Sequence, residues 1–119
     1  MTTRRVLVAE DNALVMMSLE ALIEDMEWTL VGPAETLADA ESLAGDCEAD
    51  IALLDVNLNG ERSIGVAETL AGRGIPVIFA TGYGDALDLP PALEGSPVVT
   101  KPFRLDELES LLRERCGRS

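Results

Sequence analysis

Histidine is absent from this 119-residue chain, lysine occurs once, and the aromatics are one Trp, one Tyr and two Phe. Cys47 and Cys116 are the only cysteines. They show no metal-ligand spacing and have no histidine to join them, so they read as two reduced thiols. Between residues 6 and 61 there is no Lys or Arg, against fourteen Asp and Glu, and the net charge is −13. Such a surface repels nucleic acid, which excludes DNA binding by this domain alone. The same acidity also fits a solvated surface with no partner meaning. Long apolar runs are missing too: none approaches the ~20 residues that cross a bilayer. Met1-Thr2-Thr3-Arg4-Arg5 leads directly into four apolar residues, too few for the core of a secretory signal. The expectation is a cytoplasmic protein that makes no membrane contact.

What is present is a 47% hydrophobic fraction. A chain of this length buries roughly two-thirds of its unfolded surface, so one domain over residues 1–119 with a true core is expected. Four short apolar runs each end in a polar residue. Val6–Ala9 ends in Glu10-Asp11, Ile51–Leu54 in Asp55, Val77–Ala80 in Thr81, and Val98–Thr100 in Lys101-Pro102. Runs of this kind, separated by helical patterns, mark a parallel sheet covered on both faces.

Strands are expected at 5–9, Trp28–Pro33, Ile51–Leu54, from Pro76, and before Lys101. Asn12 or Ala13 opens a helix with Val15, Leu19, Leu22, Ile23 and Met26 on one face. Thr36 to Asp39 fits a capping box, with Leu37, Ala40, Leu43 and Ala44 facing inward. Ser63 can cap a third helix with Ile64, Ala67, Leu70 and Ala71 on its core side. Ala86 to Leu89 allows only a turn of helix, because Pro90-Pro91 disfavours continuation. The last helix presents Leu105, Leu108, Leu111 and Leu112, with Asp106 and Glu107 in its first turn and Arg113 and Arg115 in its last. Five strands alternating with five helical segments, the fourth stunted, form with right-handed crossovers a doubly wound sheet of order 2-1-3-4-5.

In such sheets ligands bind beyond the carboxyl ends of the strands. Glu10, Asp11 and Asp55 are expected to meet there, and three close carboxylates repel unless a cation neutralises them. Oxygen-only ligands suit magnesium, which uses one or two protein carboxylates and keeps several waters. Lys101, the sole lysine, is a point-charge phosphate binder if it faces that crevice, and otherwise a surface lysine. Pro102 favours extended geometry at Lys101, which aims it at the crevice. Thr81 is either a structural cap or a functional hydroxyl, and Gly82 after it lets a backbone amide approach a ligand.

Together, Glu10-Asp11, Asp55 with Asn57, Thr81-Gly82 and Lys101-Pro102-Phe103 resemble the receiver domain of two-component response regulators, over essentially the whole chain. Phe79-Ala80-Thr81-Gly82-Tyr83-Gly84 resembles the FAT GUY subgroup. The resemblance implies a flavodoxin-like fold and Asp55 as phosphoacceptor. Asp11, Asp55 and the Asn57 carbonyl would ligate Mg2+, with Glu10 acting through water. Thr81 and Lys101 would hold phosphoryl oxygens. The implied partners are a sensor histidine kinase or histidine phosphotransfer protein upstream and an unknown output protein downstream.

Three positions depart from the pattern: Leu58-Asn59-Gly60 where most receivers carry a proline, Val98 where an aromatic switch residue is usual, and Pro90-Pro91 in the short fourth helix. Without an aromatic at Val98, either residues 82–96, including the Tyr83 loop, rearrange together as the switch, or Tyr83 merely shields the site from water. Two other readings stand beside the receiver: a pseudo-receiver that only binds proteins, and a small aspartyl-phosphate phosphohydrolase. The second is disfavoured because Asn57 is a poor general acid two residues after the acceptor. A turnover enzyme is therefore not expected.

Overall fold

The computed structural model describes residues 4–58, 60–82 and 89–116. Its elements are β1 (Arg5–Ala9), α1 (Ala13–Asp25), β2 (Thr29–Ala34), α2 (Leu37–Asp46), β3 (Ile51–Asp55), β4 (Asn57–Leu58), β5 (Glu61–Arg62), α3 (Ile64–Gly72), β6 (Val77–Thr81), a 3-10 turn (Pro91–Leu93), β7 (Val98–Thr100) and α4 (Leu105–Cys116). Five strands form one parallel sheet in the order β2-β1-β3-β6-β7, the expected topology.

The strand period of two sorts the core into layers. Leu7, Ala9, Ala52, Leu54 and Phe79 pack with α2 and α3 residues Ala40, Ala44, Val66, Ala67 and Leu70. Val6, Val8, Ile51, Leu53 and Ile78 pack with α1 and α4 residues Met16, Leu19, Ile23, Leu108 and Leu112. The chain moves one way from β1 to β2, then reverses to β3 and β6. With right-handed crossovers that reversal puts α1 and α2 on opposite faces. It also opens a crevice between the ends of β1 and β3.

Several expectations need correction. The second strand begins at Thr29 and runs through Pro33 to Ala34. Trp28 precedes it, with the Arg113 guanidinium 5.7 Å from its ring centroid. Gly32 has φ +102°, and a Cβ there would meet Ala34 N at 2.9 Å, so only glycine fits the edge strand at that point. Between β3 and α3 stands a two-stranded hairpin, β4-β5, which no strand pattern signalled. Among the described residues there are four α-helices and one 3-10 turn. The turn of helix expected from Ala86, and Tyr83 with most of its loop, lie outside the described residues. Leu105, expected in the core, is 38% exposed.

Thr36 caps α2 as its sequence suggested, accepting from the Asp39 amide at 3.1 Å. Asn12 caps α1, accepting from the amides of Leu14 and Val15. Arg73 ties the end of α3 to α2, donating to the carbonyls of Ala44 at 2.7 Å and Cys47 at 2.6 Å.

Helix α1 ends in a Schellman turn: Trp28 N–H donates to Ile23 O at 3.1 Å and Glu27 N–H to Glu24 O at 2.9 Å. The left-handed position is taken by Glu27, with φ 60°. A side chain there costs about 1–2 kcal/mol, and a carboxylate opposes the helix dipole. Glu27→Gly should therefore raise stability by about 1 kcal/mol, after the entropy cost of glycine. Urea denaturation should show a higher midpoint at unchanged slope.

Candidate functional site

Glu10 leaves β1 and Asp55 ends β3, so both sit at the reversal point. They are 2% and 5% exposed, while Asp11 is open to solvent. One carboxylate oxygen from each of Glu10, Asp11 and Asp55 lies within 4.8 Å of the others. Lys101 reaches into this cluster from the end of β7. Its Nζ is 2.7 Å from Asp55 Oδ2, and 2.9 and 3.0 Å from Glu10 Oε1 and Oε2. The Lys101–Pro102 peptide is cis, and the side chain faces the crevice as expected.

Burial lowers the affinity of the Lys101 ammonium for its proton, but hydrogen bonds to Asp55 and Glu10 outweigh it and hold its pKa above lysine's ordinary value. Burial pushes the Glu10 carboxyl up, and the charge of Asp55 adds to that. Its hydrogen bonds from Lys101 and from the Asn12 amide, at 3.0 Å, only partly offset the rise.

Asp55 is held at both carboxylate oxygens. Oδ2 takes Lys101, and Oδ1 accepts from the Asn57 amide at 3.1 Å. The Asn57 side-chain carbonyl is turned to the Gly60 amide at 2.7 Å. Thr81 is 5% exposed at the end of β6, next to β3 through the Asp55–Ala80 register. Its main-chain carbonyl accepts from the Lys101 amide at 2.8 Å. The fold thus gathers Glu10, Asp11, Asp55 and Lys101 directly, with Thr81 and Asn57 at their flanks.

Sequence reasoning missed the role of Ser63. The fully buried hydroxyl makes no cap to α3 but donates to the Asp55 main-chain carbonyl at 2.7 Å. A buried carbonyl without a partner is costlier than an open helix end, whose amides can find water. A serine before an apolar helix signals a cap, and nothing in its spacing from Asp55 signalled this bond.

The donor set fits a hard divalent cation: three carboxylates, oxygen only, one of them solvent-facing so that waters can complete the shell. In a doubly wound domain this reversal point, here lined by acids and one ammonium, is where ligands bind. The chain matches the response regulator receiver domain family over residues 6–113 and belongs to it. It is 29% identical to the transcriptional regulatory protein PdtaR of Mycobacterium tuberculosis over 108 residues, 88% of this chain and 53% of that protein. It is 28% identical to the phyllosphere-induced regulator PhyR of Methylorubrum extorquens over 112 residues, 92% of this chain and 42% of that protein. The chain thus spans about half the length of these curated relatives. Among solved structures, SdrG from Sphingomonas melonis Fr1 superposes with a TM-score of 0.83 at 39% identity, covering 99% of this chain and 100% of that one. No described helix is long and apolar enough to cross a membrane.

Proposed function

We propose that this receiver accepts a phosphoryl group on Asp55 from a histidine kinase or a histidine phosphotransfer protein, and that the phosphorylated form presents an altered surface to an output protein. The observation that carries this reading is the Lys101 ammonium 2.7 Å from a buried Asp55 oxygen, inside a cluster of two further carboxylates. Asp55 Oδ2 attacks phosphorus as the bond to the donor nitrogen breaks, leaving an aspartyl phosphate. Lys101 then pairs with a phosphoryl oxygen, and the Thr81 hydroxyl donates to another. Asp11, Asp55 and the Asn57 carbonyl would hold Mg2+, with Glu10 acting through water. The ion would neutralise charge that builds on the phosphoryl oxygens. Beside Lys101, Leu14, Phe103 and Leu105 line an open groove on the side from which a donor protein can approach. The domain is a signalling module that promotes its own phosphorylation and not a turnover enzyme, and its place is the cytoplasm.

Incubation with acetyl phosphate and Mg2+ should add one phosphate by intact mass. Chelation of the cation should abolish the adduct, because the acid cluster repels an anion until it is neutralised. Asp55→Asn should take none. An adduct that persists in Asp55→Asn would place the acceptor elsewhere. A parent chain that takes no phosphate from either acetyl phosphate or a kinase would favour a module that only binds proteins.

A further inference from the structure

The peptide unit behind Asp55 is held at both ends. Its carbonyl, that of Asp55, accepts from Ser63 Oγ at 2.7 Å. Its amide, that of Val56, donates to Ala80 O on β6 at 2.9 Å. Two bonds on one planar unit fix the dihedrals on either side, and with them the direction of the Asp55 side chain. The Ser63 amide adds a third constraint, donating to Val56 O at 2.9 Å. Further out, the Asn57 amide holds Asp55 Oδ1, and the Gly60 amide closes the turn on Asn57 Oδ1. Leu58, fully buried, anchors the hairpin between them.

Ser63 occupies the N-cap position of α3, where a hydroxyl ordinarily accepts from the first turn of the helix. It instead donates in the opposite direction, across eight residues, to the main chain of Asp55. The hydroxyl's hydrogen bond goes to the main chain of Asp55 and not to its carboxylate. We propose that Ser63 is a positioning residue for phosphoryl transfer: it orients Asp55 through the backbone so that Oδ2 meets the donor in line. In-line displacement is sensitive to small misplacement of the nucleophile, so loss of this bond acts on rate rather than on whether the site exists. This rests on the reading of Asp55 as the phosphoacceptor.

The test compares initial rates of phosphorylation by acetyl phosphate at saturating Mg2+ for the parent, Ser63→Ala, Ser63→Cys and Val66→Ala. Ser63→Ala should be slower by roughly tenfold, the effect of one lost orienting hydrogen bond. Ser63→Cys keeps the volume with a weaker donor and should fall between Ser63→Ala and the parent. Val66, 2% exposed on the same helix, has no bond to Asp55. Val66→Ala should lower the urea midpoint while staying within about twofold of the parental rate, because cavity creation alone does not turn Asp55. Parental rates in both Ser63 variants would overturn the proposal. So would an equal slowing in Val66→Ala, which would mean that Ser63 matters only through stability. A parent that takes no phosphate would overturn both this proposal and the phosphoacceptor reading, whereas a phosphorylated parent with unaffected Ser63 variants would overturn this one alone.

Discussion

Lys101→Ala should slow phosphorylation of Asp55 by acetyl phosphate about a hundredfold, the scale of losing one charged donor at a developing oxyanion. Magnesium binding should survive and even tighten, because the ammonium competes for Glu10 and Asp55 oxygens at 2.7–3.0 Å. The same change should cost about 2–3 kcal/mol of stability without metal, since two buried carboxylates lose their counter-charge. That figure stays below the range for a wholly buried pair because the Lys101 side chain is 22% exposed. The pH dependence follows from the raised pKa of Lys101. Its stabilisation is fully present below the unfolded lysine value of 10.5 and is lost as pH rises through the higher folded value. On the alkaline side, parent and variant should therefore converge in stability only at strongly alkaline pH. Intact-mass kinetics, metal titration and urea curves between neutral and alkaline pH check the three parts. A variant phosphorylated at the parental rate would remove Lys101 from the reaction centre. Lost magnesium affinity would show that the substitution damages the fold.

Phe79→Ala should destabilise the domain by about 3–5 kcal/mol, a large share of the ~5–15 kcal/mol typical of such domains. Phe79 is fully buried in the layer shared with Leu54, Val66, Leu70 and Leu93. Its backbone lies between Leu54 of β3 and Val98 of β7, so no neighbour can move in to fill the void without breaking the sheet. Because β6 ends two residues later at Thr81, the variant should also lose phosphorylation as temperature rises, and before the parent does. A urea midpoint shifted by less than the equivalent of about 1 kcal/mol would contradict the packing assigned to this strand.

Much of this protein was legible before its coordinates. Of the strands that were read correctly, β1, β3 and β6 are buried on both faces and so have continuous apolar sequences, and β7 was marked by the residues before Lys101. The caps at Asn12 and Thr36 were legible because capping is local, spanning three residues. The crevice residues were legible because the topology of alternating strands and helices dictates where strand ends meet. The misreadings are of a different kind. The edge strand β2 carries Gly32-Pro33, which look like a stop, yet an edge strand tolerates a missing donor and continues to Ala34. The β4-β5 hairpin is two residues long on each side, too short for periodicity to register.

Hydrophobic period and crossover handedness are enough to give the sheet order, the layers of the core, and the set Glu10, Asp11, Asp55 and Lys101. How those groups bond is set by the packing of the strands and helices in three dimensions. That Lys101 spans Glu10 and Asp55, 91 and 46 residues away, depends on the relative height of β7, β1 and β3. That Ser63 turns from its own helix to the Asp55 carbonyl depends on which buried polar group would otherwise go unpaired. Both are competitions between partners distant in the chain, and a hydrogen bond is decided within a few tenths of an ångström, which no local pattern of residues encodes.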